Sequence, residues 1–283
     1  MADADPAARR ELRPSNELAL RVGSALVLIP LAIGTAYVGG WPFAVFWGVA
    51  AIGVLWEWTT LVTGAGRRSV LAVGAAALVL AIGLTATYHL LAGVVALALG
   101  TFAAAALAPA ERRIWVAGGV PYAGALGMAP VVLRSDGEHG FLAMVFLFAI
   151  VWATDIVAYF VGRSLGGPKL LPRVSPKKTW SGAFGGTLAA MVLTIAIART
   201  LSLSGLLALT LLAVLLSVFA QIGDLFESFL KRKFGAKDSS QLIPGHGGLM
   251  DRLDGFVSAA VLAALIGLTR GGLEASGRGL LVW

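Results

Sequence analysis

A chain of 283 residues that is 58% hydrophobic and only 13% charged has about half the charge of a soluble domain. Its mean hydropathy of +0.86 is that of a protein whose main solvent is lipid. The absence of cysteine excludes disulfides, thiolate metal sites and cysteine nucleophiles. The net charge of +7 would suggest nucleic acid in a soluble protein, but here the cations follow a membrane pattern and no nucleic-acid partner is expected.

The first segment, 1–17, MADADPAARRELRPSNE, reads as a short charged tail, mobile or interfacial. Apolar stretches follow at 18–38, 42–63, 69–87, 89–108, 114–133, 140–162, 181–198, 203–228 and 255–269. Each reads as a helix that crosses the hydrocarbon core, the last being the shortest. The first lacks a small-residue cleavage site and other spans follow it, so it reads as a span and not as a cleaved signal. The expectation is an all-α, polytopic integral membrane protein of about nine transmembrane helices. Residues 18–139 form a Gly- and Ala-rich scaffold of about five helices. Residues 140–283 form a C-terminal catalytic region with polar loops at 163–180 and 229–254. No internal repeat marks the inverted halves of a transporter.

Alternating the sides places Arg9, Arg10, Arg13, Arg67, Arg68, Arg112, Arg113 and every cation of the two polar loops on the N-terminal side. Only Arg134, Arg199, Arg270 and Arg278 fall opposite. By the positive-inside tendency the N-terminus and both loops are cytoplasmic.

Carboxylates within spans cost about 2.5–3.5 kcal/mol each on insertion scales, so each asks for a partner. Glu57, in LWEWTT, is expected to reach the interface beside Arg67 or Arg68. Asp155 shares one helix face with Tyr159 and Gly162, and Arg163 follows at the helix exit. It is either hydrogen-bonded to neighbouring helices or one wall of a polar cavity. In the eighth span Ser217, Gln221, Asp224 and Ser228 draw a polar stripe down an apolar helix, with Glu227 beside it. Such a stripe in a membrane needs water, ions or ligand.

Asp251 and Asp254 stand three apart in MDRLDG, and two close carboxylates at a membrane boundary repel. A hard cation or basic partners would relieve them, and oxygen-only ligands suit Mg²⁺ or Mn²⁺. The preceding GHGG offers backbone amides to an anion or makes a plain turn. His246, without a second histidine nearby, suits hydrogen bonding or phosphate contact better than metal ligation. The loop RSLGGPKLLPRVSPKKTWSG forms a basic rim, which ordinary positive-inside charge explains in number but not in arrangement. Together the two loops surround carboxylates with cations where a phosphate-rich soluble ligand could meet a lipid.

The segment SFLKRKFGAKDSSQLIPGHGGLMDRLD, 228–254, resembles the signature of phosphatidate cytidylyltransferases. The matching positions are Ser228, Lys231, Arg232, Lys237, Asp238, Ser240, Ile243, Pro244, His246, Gly247, Gly248, Asp251, Arg252 and Asp254. The similarity runs upstream through QIGDLFES and SPKKTWSG to TDIVAYFVGR and covers roughly 150–270. The resemblance implies a multi-pass enzyme of the inner (plasma) membrane, a homodimer with its active site facing the cytoplasm. It would convert CTP and phosphatidate to CDP-diacylglycerol and pyrophosphate, using Mg²⁺ (or Mn²⁺) and in some members K⁺. Asp224 and Asp251 would be the chief metal ligands, with Asp254 close by. Ser228, Lys231, Arg232 and His246 would complete the catalytic set. Asp155, Tyr159, Arg163, Ser175, Lys177, Lys178, Lys237, Asp238, Ser240, Gly247, Gly248 and Arg252 would bind substrate. Rival readings are a CTP-dependent lipid or polyprenol kinase, which transfers the γ-phosphate, and an ion-coupled transporter using Asp155 and Asp224.

Overall fold

The computed structural model describes residues 14–64, 67–243 and 247–283. Its long helices are α1 (Pro14–Val38), α2 (Gly40–Thr63), α3 (Arg68–Ala86), α4 (Leu90–Leu107), α5 (Arg113–Arg134), α6 (Gly140–Leu165), α7 (Trp180–Thr200), α8 (Leu206–Lys233) and α9 (Met250–Gly271). A short α10 (Ser276–Leu281) follows. Among the described residues eight helices, α2 to α9, are long and apolar enough to cross a membrane, and α1 adds the apolar stretch Leu26–Val38. Every apolar stretch read from the sequence therefore coincides with a helix.

Two departures matter for function. The 163–180 segment is not an irregular loop: β1 (Lys169–Leu171) and β2 (Ser175–Thr179) pair antiparallel, with Lys169 opposite Thr179 and Leu171 opposite Ser175. An otherwise all-α fold thus carries one small hairpin. The 229–254 segment is shorter as a loop than expected, because α8 continues to Lys233 and α9 begins at Met250. Lys231, Arg232, Asp251 and Asp254 therefore sit on helix ends.

The bundle is held by two kinds of packing. Aromatic rings join the halves: Trp47 of α2 stacks on Phe256 of α9 at 4.8 Å between centroids, and Phe256 stacks on Phe148 of α6 at 5.4 Å. Where aromatics are absent, glycine lets backbones touch, since apolar burial drives no association between helices already in lipid. A Cβ at Gly186 of α7 would lie 2.5 Å from the Thr154 carbonyl of α6, and one at Gly223 of α8 would lie 2.5 Å from the Asp254 carbonyl of α9. Both contacts lie where α6 and α8 run toward their ends and α7 and α9 begin. Helix α5 carries Pro121 and Pro130 in its interior. It is also the most enclosed of the long helices, so neighbouring helices surround the backbone that proline disrupts.

Candidate active site

The polar stripe on α8 divides into two parts. Toward the bundle interior it is a zipper of neutral groups. Thr154 of α6 donates to Ser217 Oγ at 3.0 Å, and Gln221 Nε2 donates to Thr187 of α7 at 3.1 Å and to Ser217 at 3.3 Å. These bonds satisfy the polar groups by helix-to-helix pairing. Toward the end of α8 the partners become charged. Asp224 forms an ion pair with Lys178 of β2 and accepts a 3.4 Å hydrogen bond from Ser228. Lys231 bridges two carboxylates, Glu227 and Asp251, each at 2.6 Å.

Glu227 stays buried behind Lys231, while Lys178, Asp224, Lys231 and Asp251 face a cavity of about 870 Å³. Its walls include Asp155, Tyr159 and Arg163 of α6, Lys177 and Lys178 of β2, Asp224 and Lys231 of α8, Asp238, and Asp251, Arg252 and Asp254. The structure thus brings most of the residues expected from sequence to one space. Arg163 donates to the Tyr159 hydroxyl at 2.8 Å, which orients its guanidinium along α6. The hairpin is anchored at the start of α7, where the Thr179 side chain caps the helix by accepting from Gly182 N at 3.1 Å. That cap, with the short β2 strand, sets Lys178 against Asp224.

Other expected residues lie outside the walls. Ser228 is off the wall and donates to Asp224 at 3.4 Å. Arg232 donates to the Ala236 carbonyl at 3.2 Å on the outer side, and Lys237 is exposed. Ser175 opens β2, and Gly247, with φ +84°, pairs its carbonyl with Ile243 N. Gly248 donates its amide to Asp251. His246 lies outside the described residues. Gln221 of the expected stripe also lines the cavity, as do Lys169, Leu170, Thr179, Gly182 and Ala183, which were not expected as site residues. The charge of Lys169 was the only available signal for that strand.

The expectation for Glu57 is overturned. Its side chain does not reach the interface; the residue is 0% exposed and its carboxylate accepts hydrogen bonds from Ser239, Ser240, Leu249 and Met250. Arginines at 67 and 68 are close in sequence, but the loop before α9 offers buried donors, and a carboxylate leaving water needs donors more than distant charge.

Oxygen donors suit a hard divalent cation. Asp155, Asp224 and Asp254 all open on the cavity, and Asp254 spends one oxygen on its neighbour Gly255 N at 2.7 Å. Mg²⁺ is usually held by one or two carboxylates plus substrate phosphates, and the donor set fits that mode. Asp251 is more committed. Its Oδ2 accepts from Ser239 N (3.0 Å) and Gly248 N (2.9 Å) and lies 3.0 Å from Ser239 Oγ, while Oδ1 holds Lys231. A cation would have to displace Lys231 to reach it. Among the described residues no three carboxylate or imidazole groups are gathered as a ready-made metal cluster.

A sequence profile of the cytidylyltransferase family matches residues 19–269. A phosphatidate cytidylyltransferase of Brucella abortus is 42% identical over 261 residues, covering 89% of this chain and 94% of that protein. Relatives of the same description match over shorter lengths. The one from Haemophilus influenzae is 41% identical over 149 residues, half of this chain and 51% of its own length. The one from Bacillus subtilis is 42% identical over 128 residues, 45% of this chain and 48% of its own length.

Proposed function

The chain belongs to the cytidylyltransferase family, and from that premise we propose how its cavity performs cytidylyl transfer. The activity is that of a nucleotidyltransferase of phospholipid biosynthesis: CTP and phosphatidate give CDP-diacylglycerol and pyrophosphate. An oxygen of the lipid phosphate forms a bond to the α-phosphorus of CTP. The bond from that phosphorus to the α–β bridging oxygen breaks, and pyrophosphate leaves with the electron pair.

The lipid phosphate is already ionised near neutral pH, so the reaction needs no strong general base. The obstacle is repulsion between two polyanions, and positioning with charge neutralisation removes it. The cavity supports that reading through its movable cations. Lys178 and Lys231 are held by Asp224 and Asp251, and incoming phosphates would compete with those carboxylates for them. Lys177, Arg163 and Arg252 extend the positive surface. Large exposed apolar side chains, Phe160, Leu165, Trp180 and Phe184, lie on the stretches of α6 and α7 that also carry the wall residues Tyr159, Arg163 and Gly182. They would let acyl chains stay in the bilayer while the phosphate turns inward.

Members of this family generally use a divalent metal. Asp224 and Asp254 would hold it, with Asp155 beside them and Asp251 Oδ1 available once Lys231 moves. When bound, it would neutralise charge on the phosphates and leaving pyrophosphate. Mg²⁺ is the ion the donors fit, with K⁺ as a second cation carried over from the resemblance. The cytoplasmic, inner-membrane placement rests on the asymmetry of the cations along the chain, and the homodimer on the resemblance alone.

The observation that carries this function is the convergence of the signature ends of α8 and α9 with the basic hairpin on one cavity. Purified protein given phosphatidate, Mg²⁺ and CTP labelled at the α-phosphorus should produce a chloroform-soluble labelled product. Transfer of γ-label instead would assign a lipid kinase, and transfer of neither would return ion transport to consideration.

A further inference from the structure

Glu57 is the one charged residue of α2, and it belongs to the half of the chain that reads as scaffold. Its carboxylate takes one hydroxyl and one backbone amide on each oxygen. Ser240 Oγ (2.5 Å) and Leu249 N (2.8 Å) donate to Oε1. Ser239 Oγ (3.2 Å) and Met250 N (2.6 Å) donate to Oε2. All four donors come from one segment more than 180 residues away in sequence.

The two amides explain why the helix needs it. The first amides of any helix lack intrahelical partners, and α9 opens with Leu249 at its N-cap, a side chain that makes no capping bond. Glu57 supplies the cap from a different helix, and a carboxylate at a helix N-terminus is further favoured by the helix dipole. The hydroxyls explain its reach into the cavity. Ser239 Oγ lies within hydrogen-bond distance of both Glu57 and Asp251, and Ser239 N also donates to Asp251. Asp251 in turn holds Lys231 at 2.6 Å. A continuous chain of contacts therefore runs from α2 to a cavity cation. The fit around it is tight: a Cβ on Gly248 would come within 1.8 Å of Ser239 Oγ and 2.9 Å of Glu57 Oε1.

We infer that Glu57 is a positioning residue of the catalytic cavity, capping α9 from outside and holding Ser239, Ser240 and the start of α9 in the register that sets Asp251 against Lys231. Glu57 does not touch the cavity; it acts through Ser239 and Asp251. The inference rests on the cytidylyltransfer reading for its kinetic consequence but not for the clamp itself. A carboxylate that only stabilised the fold would change stability everywhere. One that sets register changes turnover and the protection of a few amides.

The test compares wild type, Glu57→Gln and Glu57→Asp in detergent micelles by steady-state kinetics and amide hydrogen exchange. Glu57→Gln keeps the shape but loses one acceptor oxygen, and with it two hydrogen bonds, and turns an NH2 group toward donors. Misplacing reacting groups by about 1 Å costs on the order of 100-fold. The expected result is a fall in kcat of about 10- to 100-fold, with KM for CTP changing far less. Exchange should become faster at Ser239, Leu249 and Met250 and stay unchanged in α3 and α4, and Glu57→Asp should recover part of the loss. Wild-type turnover and exchange in a folded Glu57→Gln variant would overturn the inference, as would faster exchange spread over every helix. If that variant does not insert, Ser240→Ala, which removes one donor to Glu57 and the acceptor of Leu242 N, takes its place. Slower turnover with faster exchange at Leu249 supports the clamp, and no change in either overturns it. Should wild-type protein transfer no label from CTP, the reaction assignment fails while the exchange result alone still decides the clamp.

Discussion

The two polar ends of the bundle handle charge in opposite ways. At one end, Arg134 donates to the Ala36 and Tyr37 carbonyls that close α1, at 2.5 and 3.1 Å. Arg270 donates to the Gly279 and Val282 carbonyls around α10, at 2.5 and 2.9 Å. Asp136 accepts from the amides of Glu138, His139 and Arg278. There Arg134, Arg270 and Asp136 are matched to backbone and stabilise helix ends and a turn. At the other end the carboxylates Glu57, Asp251 and Asp254 also hold backbone amides, but two cations are matched to side chains around a cavity: Lys178 to Asp224, and Lys231 to both Glu227 and Asp251. Backbone partners cannot be exchanged for a ligand, whereas side-chain ion pairs can. The two ends therefore differ in what these cations are paired with: backbone carbonyls for Arg134 and Arg270, and exchangeable carboxylates for Lys178 and Lys231.

The comparison can be broken most sharply at Asp224. Asp224→Asn removes an anion that holds Lys178 and fits a metal, and turnover should fall by about 10²- to 10³-fold while the protein still inserts. Near-normal turnover in that variant would move the chemistry elsewhere. Lys178→Met comes next: loss of a charge-assisted contact is worth about 1.5–3 kcal/mol, so kcat/KM for CTP should drop by roughly 10- to 100-fold. An unchanged value would confine Lys178 to structural pairing. Gly223→Val tests the frame behind the site, since its side chain would press on the Asp254 carbonyl. Overpacking should cost about 1–3 kcal/mol, visible as a lower unfolding temperature in detergent, and an undiminished value would mean that α8 and α9 can separate freely there. The smallest effect belongs to the far end. Arg134→Gln should lower stability by about 1 kcal/mol and leave turnover within about twofold of wild type. A large kinetic loss would show that the two ends are coupled.

Much of the fold was legible because lipid imposes one simple rule, that a span must be long, apolar and helical. The carboxylates Asp155, Asp224, Asp251 and Asp254 were legible for the converse reason, since charge in such a setting needs an explanation. Partner identity was not legible. Glu57 stands near Arg67 and Arg68 in sequence, yet its donors come from Ser239, Ser240, Leu249 and Met250, and only packing of α2 against the start of α9 reveals them. The commitment of Asp251 to backbone amides was hidden similarly, because a DxxD spacing gives no sign of which loop folds over it. The hairpin carrying Lys178 escaped notice because its strands are three and five residues long, too short for a period of two to register. Gly182 and Gly186 illustrate the same gap: small residues mark close packing but not which helix approaches.

The central claim is a single direct displacement, lipid phosphate on the α-phosphorus of CTP, within the charged cavity. It is tested most directly by supplying phosphatidate with CTP made chiral at the α-phosphorus by one sulfur substitution, and reading the configuration of the CDP-diacylglycerol formed. One in-line attack gives inversion at that phosphorus, and inversion is the expected result. Retention would contradict the account, because it requires two successive displacements and a covalent cytidylyl intermediate on the protein.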